Sequence, residues 1–328
     1  LGGASYFNSR ESVTRFFQCC VVAGLVWSLY SLFNVGDFLS GRQLRFTGGG
    51  ETNPVTYSKI GVTFLPFMIW AVIQSQKRIW RLAGFAGLLT MPVWIFLSGT
   101  RQSIIVAVLA NIPLLIRKGA LRTVGIWLVL LMVVLFAGSI ILAGYDVDWL
   151  LDRFARKDLG GRMRRWEAGL QLSMASPIIG RGHGADNIAS AYLRLSFHNS
   201  YLAIWVNTGI FGLLCVVAVL IGQTVNAYQF IRRTTDPFLK DAAKLALGLM
   251  LATVAVCQVE NILVSPSGLS IAMLLLISTL ITKLRDIEDQ NTMAWLSTGN
   301  VPSGEAWAMP MNYGYTNRWN RAGPAGRV

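Results

Sequence analysis

The chain has 328 residues, of which 53% are hydrophobic and only 14% charged, and its formal net charge is +13. A soluble domain usually carries about 25% charged residues, whereas the 32 glycines and 10 prolines here are close to average usage. The composition therefore excludes a disordered or collagen-like chain and argues against an ordinary soluble domain.

The apolar residues are grouped in long blocks, and eight of these approach the roughly 20 residues that a helix needs to cross a hydrocarbon core. In chain order they are 16–34, 58–75, 82–98, 102–116, 123–144, 198–223, 245–259 and 267–282. The clearest is 123–144, which has no charged residue, whereas 102–116 and 245–259 are short enough to be tilted or partly buried. We therefore predict an all-α fold, a polytopic integral membrane helix bundle with about eight spans.

Basic residues in short loops orient these spans, because Lys and Arg concentrate on the cytoplasmic side. Three short loops are basic and are separated by two spans each: 76–81, 117–122 and 232–244. Placing all three in the cytoplasm also places residues 1–15 and the tail after 282 there. The predicted outer segments are then 35–57, 99–101, 145–197 and 260–266.

Two parts of the chain are distinguished by composition. Residues 1–284 form the predicted transmembrane domain, which includes the outer loop 145–197. Residues 285–328 are rich in Asn, Gly, Pro and Trp without apolar periodicity, and are predicted to be a mostly disordered cytoplasmic tail. The chain opens in a polar stretch without a start methionine or a signal peptide, which indicates truncation at the amino terminus.

The outer loop 145–197 contains seven arginines and one lysine. Arginine offers a planar fork of donors that suits phosphate oxygens, so we expect an anion site at the outer membrane surface. The alternative is a solvated loop with local Arg–acid pairs. Arg101 lies at the outer end of a span, where a charge is costly and is a functional candidate unless it snorkels to the headgroups.

A short amphipathic helix is predicted inside this loop, from about 162 to 175, since Pro177 disfavours helix beyond it. At helical spacing Arg162, Arg165 and Trp166 share one face. The following glycines permit tight turns whose N–H groups would bind an anion, although a plain loop turn explains them equally well. They are Gly180, Gly182 and Gly184.

His198 opens the span that follows. It falls on one helical face with four residues of that span, Tyr201, Trp205, Gly209 and Gly212. The two glycines are expected to let another helix approach closely, so that His198 points into the bundle. An imidazole there suits a general base, and the alternative is a hydrogen-bonded structural histidine at a helix start.

These residues together resemble a family. His198-Asn199, nine residues, then Gly209-x-x-Gly212 resembles the signature of bacterial O-antigen ligases. Three further elements resemble patterns shared with the related polymerases: Arg162-x-x-x-Trp166 with Pro177–Gly182, Ser98-Gly99-Thr100-Arg101, and Arg45 with Gly48 and Asn53-Pro54. The departures are Arg181 in place of a small or apolar residue, Thr100 in place of Ser, and Val55 in place of a second Asn.

The resemblance implies a polytopic, metal-independent glycosyltransferase of GT-C-like architecture in the bacterial inner membrane, with its active site facing the periplasm. Its donor would be a glycan on undecaprenyl diphosphate, and its acceptor the lipid A–core or a growing glycan. It implies membrane lipid as a partner, no cofactor, no metal and no nucleic acid. Family members usually have more spans than this chain.

The chemistry of such a transfer assigns roles to the residues singled out above. Preorganised arginines would stabilise the leaving diphosphate, and Arg101, Arg162 and Arg165 are the first candidates, with Arg45 and Arg181 as weaker ones. His198 would take the proton of the acceptor hydroxyl, and direct attack would invert the anomeric centre. The outer loops contain no carboxylate pair with metal-ligand spacing, so arginine would take the place of a metal.

Two other functions fit parts of this pattern. A polymerase of the same superfamily would use the same donor with a growing O-antigen or exopolysaccharide as acceptor, and the His-Asn-x9-Gly-x-x-Gly spacing favours a ligase over it. A transporter or flippase of lipid-linked sugars would have charged residues at mid-membrane depth and paired broken helices. The span interiors carry almost no charge, which argues against transport.

Overall fold

The computed structural model describes residues 6–35, 47, 53–116, 162–182, 184, 197–263 and 269–297. This part of the chain is all-helical, as predicted, and contains no strand. Its helices are α1 (Arg10–Phe33), α2 (Pro54–Gln74), α3 (Arg78–Leu97), α4 (Arg101–Leu115), α5 (Arg162–Met174), α6 (Ser200–Arg233), α7 (Pro237–Cys257) and α8 (Leu269–Ser297).

Within the described ranges, four helices are long and apolar enough to cross a membrane, namely α1, α2, α3 and α6, while α4 is apolar but shorter. Helix α7 carries Lys240, Asp241 and Lys244 in its first turns. The predicted span 123–144 lies outside the described residues. Eight spans and a GT-C-like architecture thus remain predictions.

Several helices begin where the sequence provides an N-cap, because a side-chain oxygen accepts one of the N–H groups that the first turn leaves unpaired. Ser9 and Ser12 form a reciprocal capping box at α1. Asn53 and Asp236 cap α2 and α7, and each is followed by a proline that fits the first helical position.

Helix α2 is the most buried of the four candidate spans, and it packs against α1, α3, α4 and α7. Helix α7 packs in turn against α4 and α6. A Cβ at Gly248 of α7 would lie 2.0 Å from the carbonyl oxygen of Ala110 in α4. Only glycine permits this approach, which brings the two helices together beneath the ends that form the site described below.

Contacts group the helix ends in the way that the basic loops predict. At one end, Arg10 pairs with Asp236 at 3.3 Å, and Lys244 Nζ donates to the carbonyl of Ile116 at 3.0 Å. Thr234, at the same end, donates to Glu288 of α8 at 2.5 Å. These residues lie in or beside the segments predicted to be cytoplasmic, so the segments predicted to be outer lie at the opposite ends of the same helices.

Helix α6 has 34 residues, more than a bilayer requires, and its backbone leaves helical geometry at Gly209 (φ 71°, ψ −172°). The 25 residues from Gly209 to Arg233 are enough to cross about 30 Å at 1.5 Å per residue. The shorter part, from Ser200 to Thr208, packs against α5, where Leu202 lies over Gly169.

Helix α8 continues past the predicted domain boundary at 284/285 and ends at Ser297. The chain divides into a unit Leu1–Gln290 and a second unit Asn291–Val328. Composition assigned residues 285–297 to the disordered tail, but these residues are helical. They directly continue the helix that begins in the apolar segment before them. Residues 298–328 lie outside the described part, and their disorder remains a prediction.

Candidate functional site

Four side chains converge on the carboxylate of Glu260. Its Oε2 lies 3.2 Å from Lys59 Nζ and 3.6 Å from His198 Nδ1. Its Oε1 lies 3.5 Å from Arg162 and accepts a hydrogen bond of 3.0 Å from Gln102. The amide oxygen of Gln102 also accepts from Arg162 at 3.3 Å, so Gln102 bridges the guanidinium and the carboxylate. We call these five residues the Glu260 cluster.

The cluster is built from the ends of five segments. Lys59 lies in the second turn of α2, Gln102 is the second residue of α4, and Arg162 is the first residue of α5. His198 directly precedes the N-cap of α6, and Glu260 follows the end of α7. All five positions lie at or beside the segments that the sequence predicts to be on the outer side.

His198 has a strained backbone. Its φ of 47° makes it the one non-glycine residue with positive φ in the described part of the chain. Such a conformation costs of order 1–3 kcal/mol and persists only when its surroundings hold it. On one side Phe197 is fully buried, and on the other the Asn199 side chain accepts from Leu202 N at 3.0 Å and caps α6. These neighbours hold the backbone of His198 in this conformation, in which its imidazole lies beside Glu260.

Ser200 ties the turn of Glu260 to the segment of His198. The fully buried hydroxyl of Ser200 donates to the backbone carbonyl of Glu260 at 2.8 Å. The same oxygen accepts from the backbone N–H groups of Ile262 and Leu263, at 2.9 and 3.2 Å. The backbones on either side of the His198–Glu260 contact are therefore held together independently of that contact.

Glu260 remains ionised although little of its side chain is exposed. Burial alone would raise the pKa of its carboxyl group. The nearby imidazole of His198, the charge of Lys59 and the hydrogen bond from Gln102 outweigh burial and lower the pKa to about 2. The cluster thus contains a permanent carboxylate facing a lysine, an arginine and an imidazole.

A turn of the outer loop, Pro177–Gly182, is docked on the break in α6. Ile210 N donates to the Pro177 carbonyl at 2.8 Å, while Arg181 N and Gly182 N donate to the Val206 and Asn207 carbonyls at 2.8 and 3.0 Å. The indole of Trp205 also donates to the Pro177 carbonyl, at 3.1 Å. Since these N–H groups and that of Gly180 are bonded to backbone, the turn is a structural one and not the predicted anion cradle.

The two signature glycines have neighbours other than those predicted. A Cβ at Gly209 would lie 2.0 Å from the carbonyl oxygen of Ile178, so Gly209 makes room for the docked turn and not for a helix. A Cβ at Gly212 would meet the side chain of Thr208, one turn earlier in α6 itself. The single helical face predicted from His198 to Gly212 is interrupted, because His198 precedes the helix and the backbone breaks at Gly209.

Of the arginines predicted to bind the diphosphate, the described part of the structure places one in the Glu260 cluster. Arg162 belongs to the Glu260 cluster, whereas Arg165 is half-buried and forms no ion pair with any described residue. Arg181 is exposed on the docked turn. The backbone of Arg101 opens α4, but its side chain lies outside the described part, as does the whole of Arg45.

Sequence reasoning missed Lys59, Gln102 and Glu260. The sequence contained a signal for two of them, because Lys59 and Glu260 are charged residues at the ends of apolar blocks. The same argument, the cost of a charge near hydrocarbon, identified Arg101 as a candidate. Gln102 had no comparable signal, because an uncharged amide at a helix start is common.

A small cavity of about 60 Å³ lies beside the cluster, and its lining is polar on one side and mainly apolar on the other. Lys59, Thr63, Gln102 and Ser103 give it a polar side. Apart from Thr253 the remainder of the lining is apolar, and it includes Val106, Leu249, Met273 and Ile277. Among the described residues no group of three His, Cys, Asp or Glu side chains is placed to hold a metal ion, and metal independence remains a prediction.

Comparison with known proteins supports the resemblance. Residues 86–217 match the family model described as O-antigen ligase. The chain is also similar to the exopolysaccharide production protein ExoQ of Rhizobium meliloti (strain 1021), with 26% identity over 208 residues. That match covers 57% of this chain and 45% of the relative, so the chain spans about half the length of the relative it matches.

The family match includes Arg162, His198 and both signature glycines, while Lys59 and Glu260 lie outside it. The match to the O-antigen ligase model in residues 86–217 and the similarity to an exopolysaccharide production protein confirm the predicted resemblance to the superfamily of O-antigen ligases and related polysaccharide polymerases.

Proposed function

We propose that this protein is a glycosyltransferase that acts on the periplasmic side of the bacterial inner membrane and moves a glycan from undecaprenyl diphosphate to an acceptor hydroxyl. The reaction we favour is O-antigen ligation to the lipid A–core. The observation that carries the proposal is the convergence of Lys59, Arg162 and His198 at one point, at the end of the bundle predicted to be outer.

The reaction has two requirements: the charge on the leaving diphosphate must be stabilised, and the acceptor hydroxyl must lose its proton. The cluster contains groups for both. The acceptor oxygen forms a bond to the anomeric carbon while the bond from that carbon to the diphosphate oxygen breaks, and its electron pair leaves with the diphosphate. Lys59 and Arg162 stabilise the charge that develops there. The acceptor proton passes to His198, whose Nδ1 faces Glu260 and whose Nε2 is left for the hydroxyl.

Glu260 acts in this scheme as a positioning residue. It orients the imidazole and stabilises the imidazolium that forms when the proton arrives, as a carboxylate behind a histidine does in other enzymes. Arg101, Arg165, Arg45 and Arg181 remain further candidates for donor contacts.

The second candidate is polymerisation of an exopolysaccharide or O-antigen, which the similarity to an exopolysaccharide production protein supports. Donor and site chemistry are the same in both reactions, and the acceptor differs. Cells that lack a ligase polymerise the lipid-linked glycan but leave the core uncapped, whereas cells that lack a polymerase cap the core with a single unit.

The test is complementation of a ligase-deficient and a polymerase-deficient strain with the full-length protein and its variants. We expect the wild type to restore capped lipopolysaccharide in the first strain, and His198→Ala and Arg162→Ala to fail at normal membrane levels. Arg164→Ala is the matched control, since Arg164 is exposed on the same helix as Arg162. Rescue of the polymerase-deficient strain alone would select the second candidate, and capping by His198→Ala at the wild-type rate would remove the general base.

A further inference from the structure

Glu260 already occupies the position that an anionic substrate would take. Its carboxylate lies within 3.6 Å of nitrogen atoms of Lys59, Arg162 and His198. The carboxylate-bearing side chain is 11% exposed, while those of the lysine, the arginine and the histidine are 20%, 25% and 31% exposed. A ligand arriving from solvent therefore reaches the basic groups first and finds their charges directed at an internal anion.

The pairing of charges within the cluster must change when a diphosphate binds. Lys59 and Arg162 contribute two positive charges, and Glu260 offsets one of them. A diphosphate that kept this arrangement would lie a few ångströms from an ionised carboxylate, and like charges at that distance repel each other strongly near a protein surface. Each contact that the lysine or the arginine makes with the diphosphate therefore weakens its contact with the carboxylate.

The cluster has a fixed part, Glu260 and His198, and a movable part, Lys59 and Arg162. Ser200 holds the backbone of Glu260 next to the segment of His198, so these two side chains stay together. Lys59 and Arg162 come from α2 and α5, and they reach the carboxylate only with the tips of long side chains. A change in rotamer is enough to turn them toward a ligand, while Glu260 and His198 remain in place.

We propose that Glu260 is an internal counter-anion, which the donor diphosphate displaces from Lys59 and Arg162, leaving the carboxylate to His198 and the uncharged Gln102. This inference rests on the proposed function and adds to it a coupling between donor binding and base activation. With the donor absent, the carboxylate is shared among three basic groups. With the donor bound, its charge acts on the imidazole, which then holds the acceptor proton more tightly.

The test measures binding separately from transfer. The full-length protein in detergent is titrated with farnesyl diphosphate as the probe, and the dissociation constant is compared between the wild type and Glu260→Gln. We expect Glu260→Gln to bind the diphosphate about tenfold more tightly, since a competing charge-assisted contact is lost, and to transfer glycan from a lipid-linked donor more slowly. A residue that only maintained the fold would weaken binding when replaced.

Two controls make the result specific. Glu167→Gln removes an exposed acid from α5 that is not part of the cluster, and its affinity should equal that of the wild type. In a Lys59→Met background, Glu260→Gln should give a smaller gain in affinity, because one of the two displaced partners is absent. If Glu260→Gln does not fold, Glu260→Asp replaces it, and its retracted carboxylate should also give tighter binding.

The outcomes separate the two proposals. If the wild type does not bind the diphosphate, the proposed function fails. If the wild type binds and Glu260→Gln binds equally or more weakly, the counter-anion is overturned while the proposed function stands. An equal gain in affinity from Glu167→Gln would also overturn it, because the effect would then be one of overall charge.

Discussion

The Nδ1 atom of His198 lies 3.6 Å from the Oε2 atom of Glu260, although α6 and α7 separate the two residues along the chain. Ser200 holds the two backbones together beside this contact. The pairing of an imidazole with a carboxylate is thus fixed by a hydroxyl that touches neither side chain, and the geometry of the site depends on that hydroxyl.

We predict that Ser200→Ala destabilises the protein and slows transfer. The substitution leaves the Glu260 carbonyl and the Ile262 N–H without their buried partner, which costs about 1–3 kcal/mol. The measurements are the apparent Tm in detergent and the transfer rate. The control is Thr208→Ala on the same helix, whose hydroxyl bonds only to the carbonyl of Ile204, one turn away, and which should change both little. Equal effects of the two substitutions would contradict the role of Ser200.

We predict that Gly209→Ala loosens the docked turn Pro177–Gly182. The added Cβ would lie 2.0 Å from the Ile178 carbonyl oxygen, and a φ of 71° costs a non-glycine residue about 1–3 kcal/mol. Trypsin should therefore cleave after Arg181 faster than in the wild type. The control, Gly222→Ala, introduces a methyl group where nothing lies within 4 Å, and should be as stable or more stable. Cleavage at the same rate in both variants would show that the turn does not depend on Gly209.

We predict that acid removes a stabilising contribution of Glu260. The pKa of this group is lowered from 4.5 to about 2 in the folded protein, so its contribution is fully present above pH 4.5 and is lost as the pH falls toward 2. The shift corresponds to roughly 3 kcal/mol. The difference in apparent Tm between the wild type and Glu260→Gln should therefore shrink between pH 5 and pH 3.

The control for this titration is Glu11→Gln. Glu11 pairs with Arg15 on the surface of α1, and both side chains are about 70% exposed, so the pair contributes little. The Tm difference between this variant and the wild type should stay near zero across the same range. A difference between the wild type and Glu260→Gln that grew on acidification would contradict the lowered pKa.

The sequence was sufficient to predict the helical fold, the helix after Gly161, and the meeting of Arg162 and His198 in one cluster, while the roles of the two residues remain predictions. Apolar periodicity and the positions of proline are local signals, and they act over one or two turns. The grouping of the helix ends also followed from loop charges, because that signal needs only an even number of crossings between basic loops.

The rest depended on contacts that local patterns do not encode. Glu260 lies far along the chain from Lys59 and Arg162, and only the packing of α2, α5 and α7 brings them together. Helical spacing failed at Gly209 because a 100° rotation per residue assumes an unbroken helix. A positive φ at a glycine is permitted by the sequence but not required by it, so the break could not be predicted.

We predict that the Glu260 cluster faces the periplasm, and cysteine labelling tests this directly. Two exposed positions are matched: Ala175, which directly follows α5 in the predicted outer loop, and Thr235, in the basic turn between α6 and α7. In a chain whose four native cysteines are replaced by alanine, Ala175→Cys should react with a membrane-impermeant maleimide in intact spheroplasts. Thr235→Cys should react only after permeabilisation, since Lys and Arg hold that turn in the cytoplasm. The reverse pattern would place the cluster in the cytoplasm, where a lipid-linked glycan that is transferred outside could not reach it.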